Sequence, residues 1–160
     1  MLCRAELDSH ADTCGGNSIA RILEYSGQVT EVSGFVNSME TIRDVPVVKA
    51  AIVYDVPSTG ETVIPIINQV LYFGDQLTHI LLNPNQMRSN DIQADDVPRH
   101  LSSSSSYAIM CKDENLTIPL LLNGVISYFN VRTSSLYEIE NCQHIALTAV
   151  EEWNPICHRF

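Results

Sequence analysis

Two long apolar runs in the first half of the chain limit its possible folds more than any other feature. Residues 45–56 (VPVVKAAIVYDV) and 62–73 (TVIPIINQVLYF) are rich in β-branched residues, and 57–61 (PSTGE) between them has the composition of a turn. Because β-branched side chains favour extended backbone, this arrangement predicts a β-hairpin. Pro46 and Pro65 have no N–H for the ladder, so we expect each at a sheet edge, a strand start or a bulge.

Shorter strand candidates surround this hairpin, separated by Gly, Asn and Pro. Asn83 followed by Pro84 predicts a short helix that reaches about residue 89, because Asn is a favoured N-cap and Pro a favoured first helical residue. The sequence therefore predicts a mainly β fold with one short helix. The other expected strands are 3–8, 18–25, 28–36, 80–82, 107–113, 116–124 and 125–133, with turns at Gly15-Gly16-Asn17 and Asn123-Gly124.

Composition narrows the classes of partner. The 160 residues include 19 acidic and 9 basic side chains, for a net charge of −10, and no cluster of Lys and Arg. This balance disfavours nucleic acid as a partner, because binding to phosphates requires clustered positive charge. No apolar run approaches the ~20 residues of a membrane span. The five cysteines form no Cys-x-x-Cys pair, and with no export signal they predict reduced thiols in the cytoplasm.

A dense group of reactive side chains follows the first strand, in the segment DSHADTC (8–14). A solvated turn is one interpretation, since Asp and Ser side chains often bond their own backbone. A metal site is a second, because Asp8, His10 and Asp12 alternate and would share one face of a strand. A nucleophile, Cys14 or Ser9 with His10 as its base, is a third.

A fourth interpretation comes from a resemblance. LDSHA (7–11) has the pattern apolar-Asp-Ser-x-Ala, and a second motif, Ile80, Leu81, Leu82 and Asn83, leads into the predicted helix far along the chain. The combination resembles the retropepsin-like aspartic protease region of Copia-type retrotransposon gag-pol polyproteins, in particular a subgroup with an Asp-Ser-His-Ala-Asp-Thr motif. Residues 70–92, 118–131 and 139–155 are also similar to segments of that region.

The resemblance implies a retropepsin-like (acid protease) β-barrel with one short helix and a small C-terminal β extension. It divides the chain into a protease domain (1–100), a Ser-rich loop or linker (101–106), a β extension (107–136) and a spacer or tail (137–160). A flap that covers the substrate is expected in one of the hairpins between Gly27 and Tyr72.

The same resemblance implies an aspartic endopeptidase that processes its own polyprotein as a homodimer, in the cytoplasm or within virus-like particles. Asp8 of each chain would form the catalytic dyad, with no cofactor or metal. The loop would be supported by Ser9 bonding across the dimer axis, Ala11 packing behind it, Asp12 bracing it through backbone N–H groups, and by His10, which replaces the usual Gly, and Thr13. Two alternatives remain: a catalytically inactive or domesticated peptide-binding or dimerisation module, and a metal-dependent hydrolase using Asp8, His10 and Asp12.

Overall fold

The protein is mainly β, as the sequence predicts. The structure, a computed structural model, describes residues 2–34 and 40–155. Within those ranges the chain forms two short helices, whereas the sequence predicted one. In chain order the elements are β1 (Leu2–Leu7), β2 (Gly15–Asn17), β3 (Arg21–Val32), β4 (Ile42–Ala51), β5 (Tyr54–Asp55), β6 (Thr62–Gly74), β7 (Ile80–Leu82), α1 (Pro84–Arg88), β8 (Gln93–Asp95), β9 (Ala108–Cys111), β10 (Leu116–Pro119), β11 (Leu121–Asn123), β12 (Ile126–Arg132), α2 (Leu136–Asn141) and β13 (Gln143–Ala146).

Ten strands form one sheet in the order β11-β12-β1-β7-β2-β6-β4-β3, with β5 and β13 also paired to β6. Strands β10, β9 and β8 form a second sheet. The expectation of a barrel is wrong for the described residues, because the large sheet ends at β11 on one side and at β3 on the other. Most of β3 is exposed, so this strand runs along the surface and does not close the sheet.

The hairpin predicted from the two apolar runs is present. β4 and β6 pair antiparallel with Val48 opposite Val70, and β5 continues the ladder against the start of β6. Pro46 lies beside a register shift between β3 and β4, as expected. Pro65 lies inside β6, where the antiparallel partner changes from β4 to β5, so the missing N–H falls at a break in the ladder.

Two of the expected boundaries are wrong. Gly15-Gly16-Asn17 is not a turn but β2, which lies between β6 and β7. A Cβ on Gly16 would lie 2.8 Å from Val70 Cγ1, so this close approach requires glycine. The segments 18–25 and 28–36 are largely one strand, β3, with a shifted register around Gly27; residues 35 and 36 lie outside the described residues.

A buried core joins both sheets and helix α1. Phe129 of β12 contacts Tyr54 edge-on, with ring centroids 5.7 Å apart. Ile80 and Leu82 of β7 belong to the same cluster as Ile109 and Ile118 of the small sheet. The strands after residue 107 therefore pack on, and pair with, the strands of the first hundred residues. None of the helices in the described ranges combines the length and apolarity that crossing a membrane requires.

Helix α2 and strand β13 lie in the region expected to be mostly spacer, of which 156–160 is outside the described residues. Ser135 caps α2 by accepting the Glu138 N–H at 3.1 Å, and the Glu138 carboxylate accepts the Ser135 N–H at 2.9 Å. This reciprocal capping box explains why a helix begins here. β13 then pairs parallel with β6, with Ile145 buried.

Arg132 connects α2 to the sheet. Its guanidinium donates to Asp55 at 2.7 Å and to Glu138 at 2.6 Å. The hydrogen bonds from Arg132 lower the pKa of Glu138 from its ordinary value of 4.5 to about 2, and they also lower the pKa of Asp55. A carboxylate with a lowered pKa in the folded chain stabilises the fold above its unfolded pKa.

We predict that Glu138→Gln lowers the free energy of unfolding by about 1 kcal/mol at pH 7, because a partly exposed ion pair and one cap are weakened. The deficit should shrink as the pH falls from 4.5 towards 2, where the native Glu138 also becomes protonated. Urea denaturation at several pH values measures this. Glu140→Gln, an exposed change on the same helix, is the matched control; a deficit for Glu138→Gln that is independent of pH would contradict the assignment.

Candidate functional site

Asp8 and Asn83 lie side by side because the strands before them are parallel neighbours. β1 and β7 pair in register, with Leu7 opposite Leu82, so both strands end at the same edge. The Asp8 N–H donates to the Leu82 carbonyl at 2.9 Å, which extends the ladder by one bond. The two motifs of the sequence therefore meet at one point of the fold.

The carboxylate of Asp8 braces its own loop. Its Oδ1 accepts the His10 N–H at 2.9 Å and the Ala11 N–H at 3.4 Å. The sequence assigned this bracing role to Asp12, but Asp12 is exposed, and in the described part of the chain it is Asp8 that accepts loop N–H groups. The bonds fix the direction of the half-buried Asp8 side chain.

Asn83 connects this loop to helix α1. Its side-chain oxygen caps the helix by accepting the N–H groups of Asn85 at 2.8 Å and Gln86 at 3.2 Å. Its amide nitrogen donates to the Ala11 carbonyl at 2.5 Å. The predicted N-cap and first-turn Pro84 are thus correct, and Asn83 is extended at φ −82°. One buried amide therefore sets both the start of the helix and the position of the loop.

Gln86 secures the far end of the loop. Its Oε1 accepts the Cys14 N–H at 2.9 Å, and its Nε2 donates to the carbonyls of Asn68 and Gln69 at 3.1 and 3.2 Å. The Asn83 N–H donates to Cys14 Sγ at 3.2 Å, although the two residues are 69 positions apart. The loop is therefore held at both ends by residues of the second motif and its helix.

The remaining residues of the loop differ in exposure. Ser9 and His10 are exposed, whereas Ala11 and Thr13 are half-buried. His10 is not among the residues with left-handed backbone, so a side chain fits here where the resemblance expects Gly. The Cβ of His10 therefore does not prevent the turn that presents Asp8.

Two of the alternative interpretations have little geometric support. In residues 2–34 and 40–155, no three His, Cys, Asp or Glu side chains lie close enough together to hold a metal ion, so Asp8, His10 and Asp12 do not converge. Cys14 is fully buried, and burial raises the pKa of its thiol to about 12. A buried thiol that stays protonated is not an activated nucleophile.

The loop borders two cavities. One, of about 400 Å³, is lined by Asp8, Ser9 and His10 and by the β11–β12 turn at Val125 and Ile126. The other, of about 480 Å³, lies between Thr13, the exposed β3–β4 hairpin and the C-terminal segment; its lining residues are Thr13, Gln28, Val29, Thr30, Val47, Gln69, Leu71, Glu152 and Trp153. Both cavities are partly open to solvent.

The sequence did not indicate two residues that contact this site. The carbonyl of Gln69 accepts a hydrogen bond from Gln86 Nε2 at 3.2 Å. Gln69 lies in β6 with a left-handed φ of 57°, which no local motif predicts. The indole Nε1–H of Trp153 donates to the Asp12 carbonyl at 2.7 Å. Both contacts join segments far apart in the chain, so no periodicity could predict them.

Comparisons of the chain with models of protein families, with curated proteins and with solved structures found no match. The geometry of the loop therefore carries the functional argument.

We predict that Asn83→Ala lowers the free energy of unfolding by about 2–3 kcal/mol, because it removes the helix cap and leaves the partly buried Ala11 carbonyl without its donor. Asn83→Ser retains a capping oxygen and should be more stable than Asn83→Ala by about 1 kcal/mol. Both variants should speed hydrogen exchange at the His10 and Ala11 amides, measured by NMR.

Asn130→Ala, a change at an exposed position of β12, is the control and should leave exchange in the loop unchanged. Equal stabilities of Asn83→Ser and Asn83→Ala, or native exchange rates in both, would show that Asn83 does not link cap and loop.

Proposed function

We propose that the chain is a retropepsin-like aspartic endopeptidase that acts as a homodimer and processes a retroelement polyprotein. The observation that carries the proposal is the direct contact between the two motifs. The parallel strands β1 and β7 end together, and Asn83 donates to the loop that presents Asp8. The resemblance rests on an Asp-Ser-x-Ala loop after one strand and on a second apolar strand that leads into a short helix, and these two parts lie side by side.

The proposed chemistry needs two carboxylates that share one proton. One acts as base towards the attacking water while the other donates its proton to the peptide carbonyl. Two carboxylates ~3 Å apart cannot both ionise, which retains the shared proton at mildly acidic pH. Each chain contributes one such loop, so a two-fold dimer would bring Asp8 of each protomer to the axis. Ser9, exposed beside Asp8, would bond across that axis.

An apolar surface supports a second copy as the partner. The β11–β12 hairpin exposes Leu121, Leu122, Val125 and Ile126, and Val125 at its turn is 97% exposed. The last two of these residues line the cavity that contains Asp8. Exposed apolar patches mark interaction surfaces, and β11 is an edge strand with an unpaired side in the described sheet. Burying this hairpin between two copies would also bring the two Asp8 loops closer together.

The substrate would be an extended peptide of the polyprotein, bound by strand addition. The β3–β4 hairpin would serve as the flap, because Gln28, Val29 and Thr30 of β3 and Val47 of β4 line the cavity beside Thr13. Residues 35–39, which connect β3 to β4 in the sequence, lie outside the described residues. We assign the reaction to the cytoplasm or to virus-like particles, where such a polyprotein would be processed. The alternative is a catalytically inactive module with the same peptide-binding surfaces.

We predict that Asp8→Asn abolishes peptide cleavage without unfolding the chain. The Asn side chain retains an oxygen that accepts the His10 and Ala11 N–H groups, but it cannot share a proton with a second carboxylate. Cleavage of a peptide library between pH 4 and 7, followed by mass spectrometry, measures activity, and circular dichroism measures folding.

Asp75→Asn, in an exposed turn, makes the same chemical change and should leave cleavage intact. Cleavage that persists in Asp8→Asn would exclude Asp8 as the catalytic residue. A wild-type chain that dimerises but cleaves nothing would favour the inactive module.

We predict that Val125→Lys weakens the dimer at least tenfold, because it puts a charge into the apolar contact beside the Asp8 cavity. Sedimentation equilibrium across a range of chain concentrations measures the dissociation constant. Leu101→Lys, which is also at an exposed apolar position, should not change it. A wild-type chain that stays monomeric at high concentration, or equal effects of the two variants, would refute this interface.

A further inference from the structure

The segment after β13 continues along β6, first through one backbone hydrogen bond and then through bonds that involve side chains. The Leu147 N–H donates to the Ile66 carbonyl at 2.8 Å, as in a strand. Then Asn68 donates its backbone N–H to Thr148 Oγ1 at 2.7 Å and its side-chain amide to the Thr148 carbonyl at 2.9 Å. Thr148 is fully buried, so the segment up to this residue belongs to the core.

Beyond Thr148 the chain is a surface segment held by its backbone. Val150 is 76% exposed, and Glu151 and Glu152 are exposed too. Gln69 Nε2 donates to the carbonyl of Val150 at 2.8 Å and to that of Glu151, and Gln69 Oε1 accepts the Trp153 N–H. One amide side chain therefore provides the donors and the acceptor that a neighbouring strand would provide.

These contacts have the form of peptide recognition. Gln69 bonds only main-chain atoms of Val150, Glu151 and Trp153, so the contacts do not depend on the side chains of the first two. The Trp153 indole adds a specific element, because it donates to the Asp12 carbonyl of the candidate active-site loop. Main-chain bonds with one anchoring side chain are typical of extended peptides in a groove.

We propose that Gln69 and the Asp12 carbonyl form a binding site for an extended peptide with an indole side chain, occupied here by the chain's own residues 150–153. The site lines the cavity that reaches Thr13 and the β3–β4 hairpin. The tether gives the bound segment an effective concentration in the millimolar range, so a free peptide has to displace it. The inference concerns binding alone and does not require Asp8 to be catalytic.

The test uses the full chain with Asp8→Asn, which prevents cleavage of the probe. The probe is a fluorescein-labelled peptide of residues 149–155 (AVEEWNP), and its binding is measured by fluorescence anisotropy. Adding Trp153→Ala to the chain weakens the tethered segment, so we expect the peptide to bind at least tenfold more tightly than to the chain that retains Trp153. A probe in which its own Trp is Ala should bind at least tenfold more weakly.

Gln69→Glu, added to the Trp153→Ala chain, replaces the donating amide with a carboxylate of nearly the same shape that repels the two carbonyls. It should abolish binding of the probe. Gln93→Glu, added to the same chain, introduces the same charge at an exposed position of β8 outside this cavity and should retain binding. Equal binding with and without Trp153→Ala, or no loss in Gln69→Glu, would overturn the proposal.

A second measurement uses the chain's single tryptophan. In the otherwise native chain, Gln69→Glu should release the segment, so that acrylamide quenches Trp153 fluorescence more strongly than in Gln93→Glu. Equal quenching in the two variants would show that Gln69 does not hold the segment. Neither readout involves cleavage, so a failure here is distinct from a failure of the proposed protease activity.

Discussion

The parallel pairing of β1 with β7 is the constraint on which the rest of the site depends. Because Leu7 and Leu82 are opposite each other, the chain leaves both strands at one edge, where Asp8 and Asn83 are neighbours. Asn83 can then cap α1 and donate to the Ala11 carbonyl at the same time. A shift of one residue in this register would move Asn83 away from the loop and reverse the faces of β7. The packing of β7, the start of α1 and the position of the Asp8 loop therefore all depend on the same strand register.

Local chemistry made much of this fold predictable. The β4–β6 hairpin follows from two β-branched runs around a turn, and the start of α1 follows from Asn83 and Pro84, because each signal acts within a few residues. The same reasoning could have found α2, since Ser135 and Glu138 have the spacing of a capping box. The resemblance instead assigns 137–160 to a spacer or tail, in which no helix is expected.

The other errors have a different cause. Gly15 and Gly16 have the composition of a turn, but the segment pairs with β6 and β7, and a Cβ on Gly16 would lie 2.8 Å from Val70 Cγ1 of β6. β13 and the contacts of Gln69 with the C-terminal segment depend on partners about eighty positions away. For the candidate site, the resemblance named Asp8 and the second motif that contains Asn83, and only the structure shows that the two are neighbours. The sequence assigned the loop bracing to Asp12, because an Asx turn at either Asp has the same local pattern. Among the described hydrogen bonds, the loop amides donate to the carboxylate of Asp8 and not to that of Asp12.

The central claim is that two chains each supply one Asp8 to a single catalytic site. Mixing native chain with the Asp8→Asn variant at constant total concentration, with time for exchange of protomers, tests it directly. If only dimers with two aspartates cleave, activity falls as the square of the native fraction, so an equal mixture retains about a quarter of the original rate. A linear fall, with about half the rate in the equal mixture, would mean that one Asp8 is sufficient and would contradict the shared site.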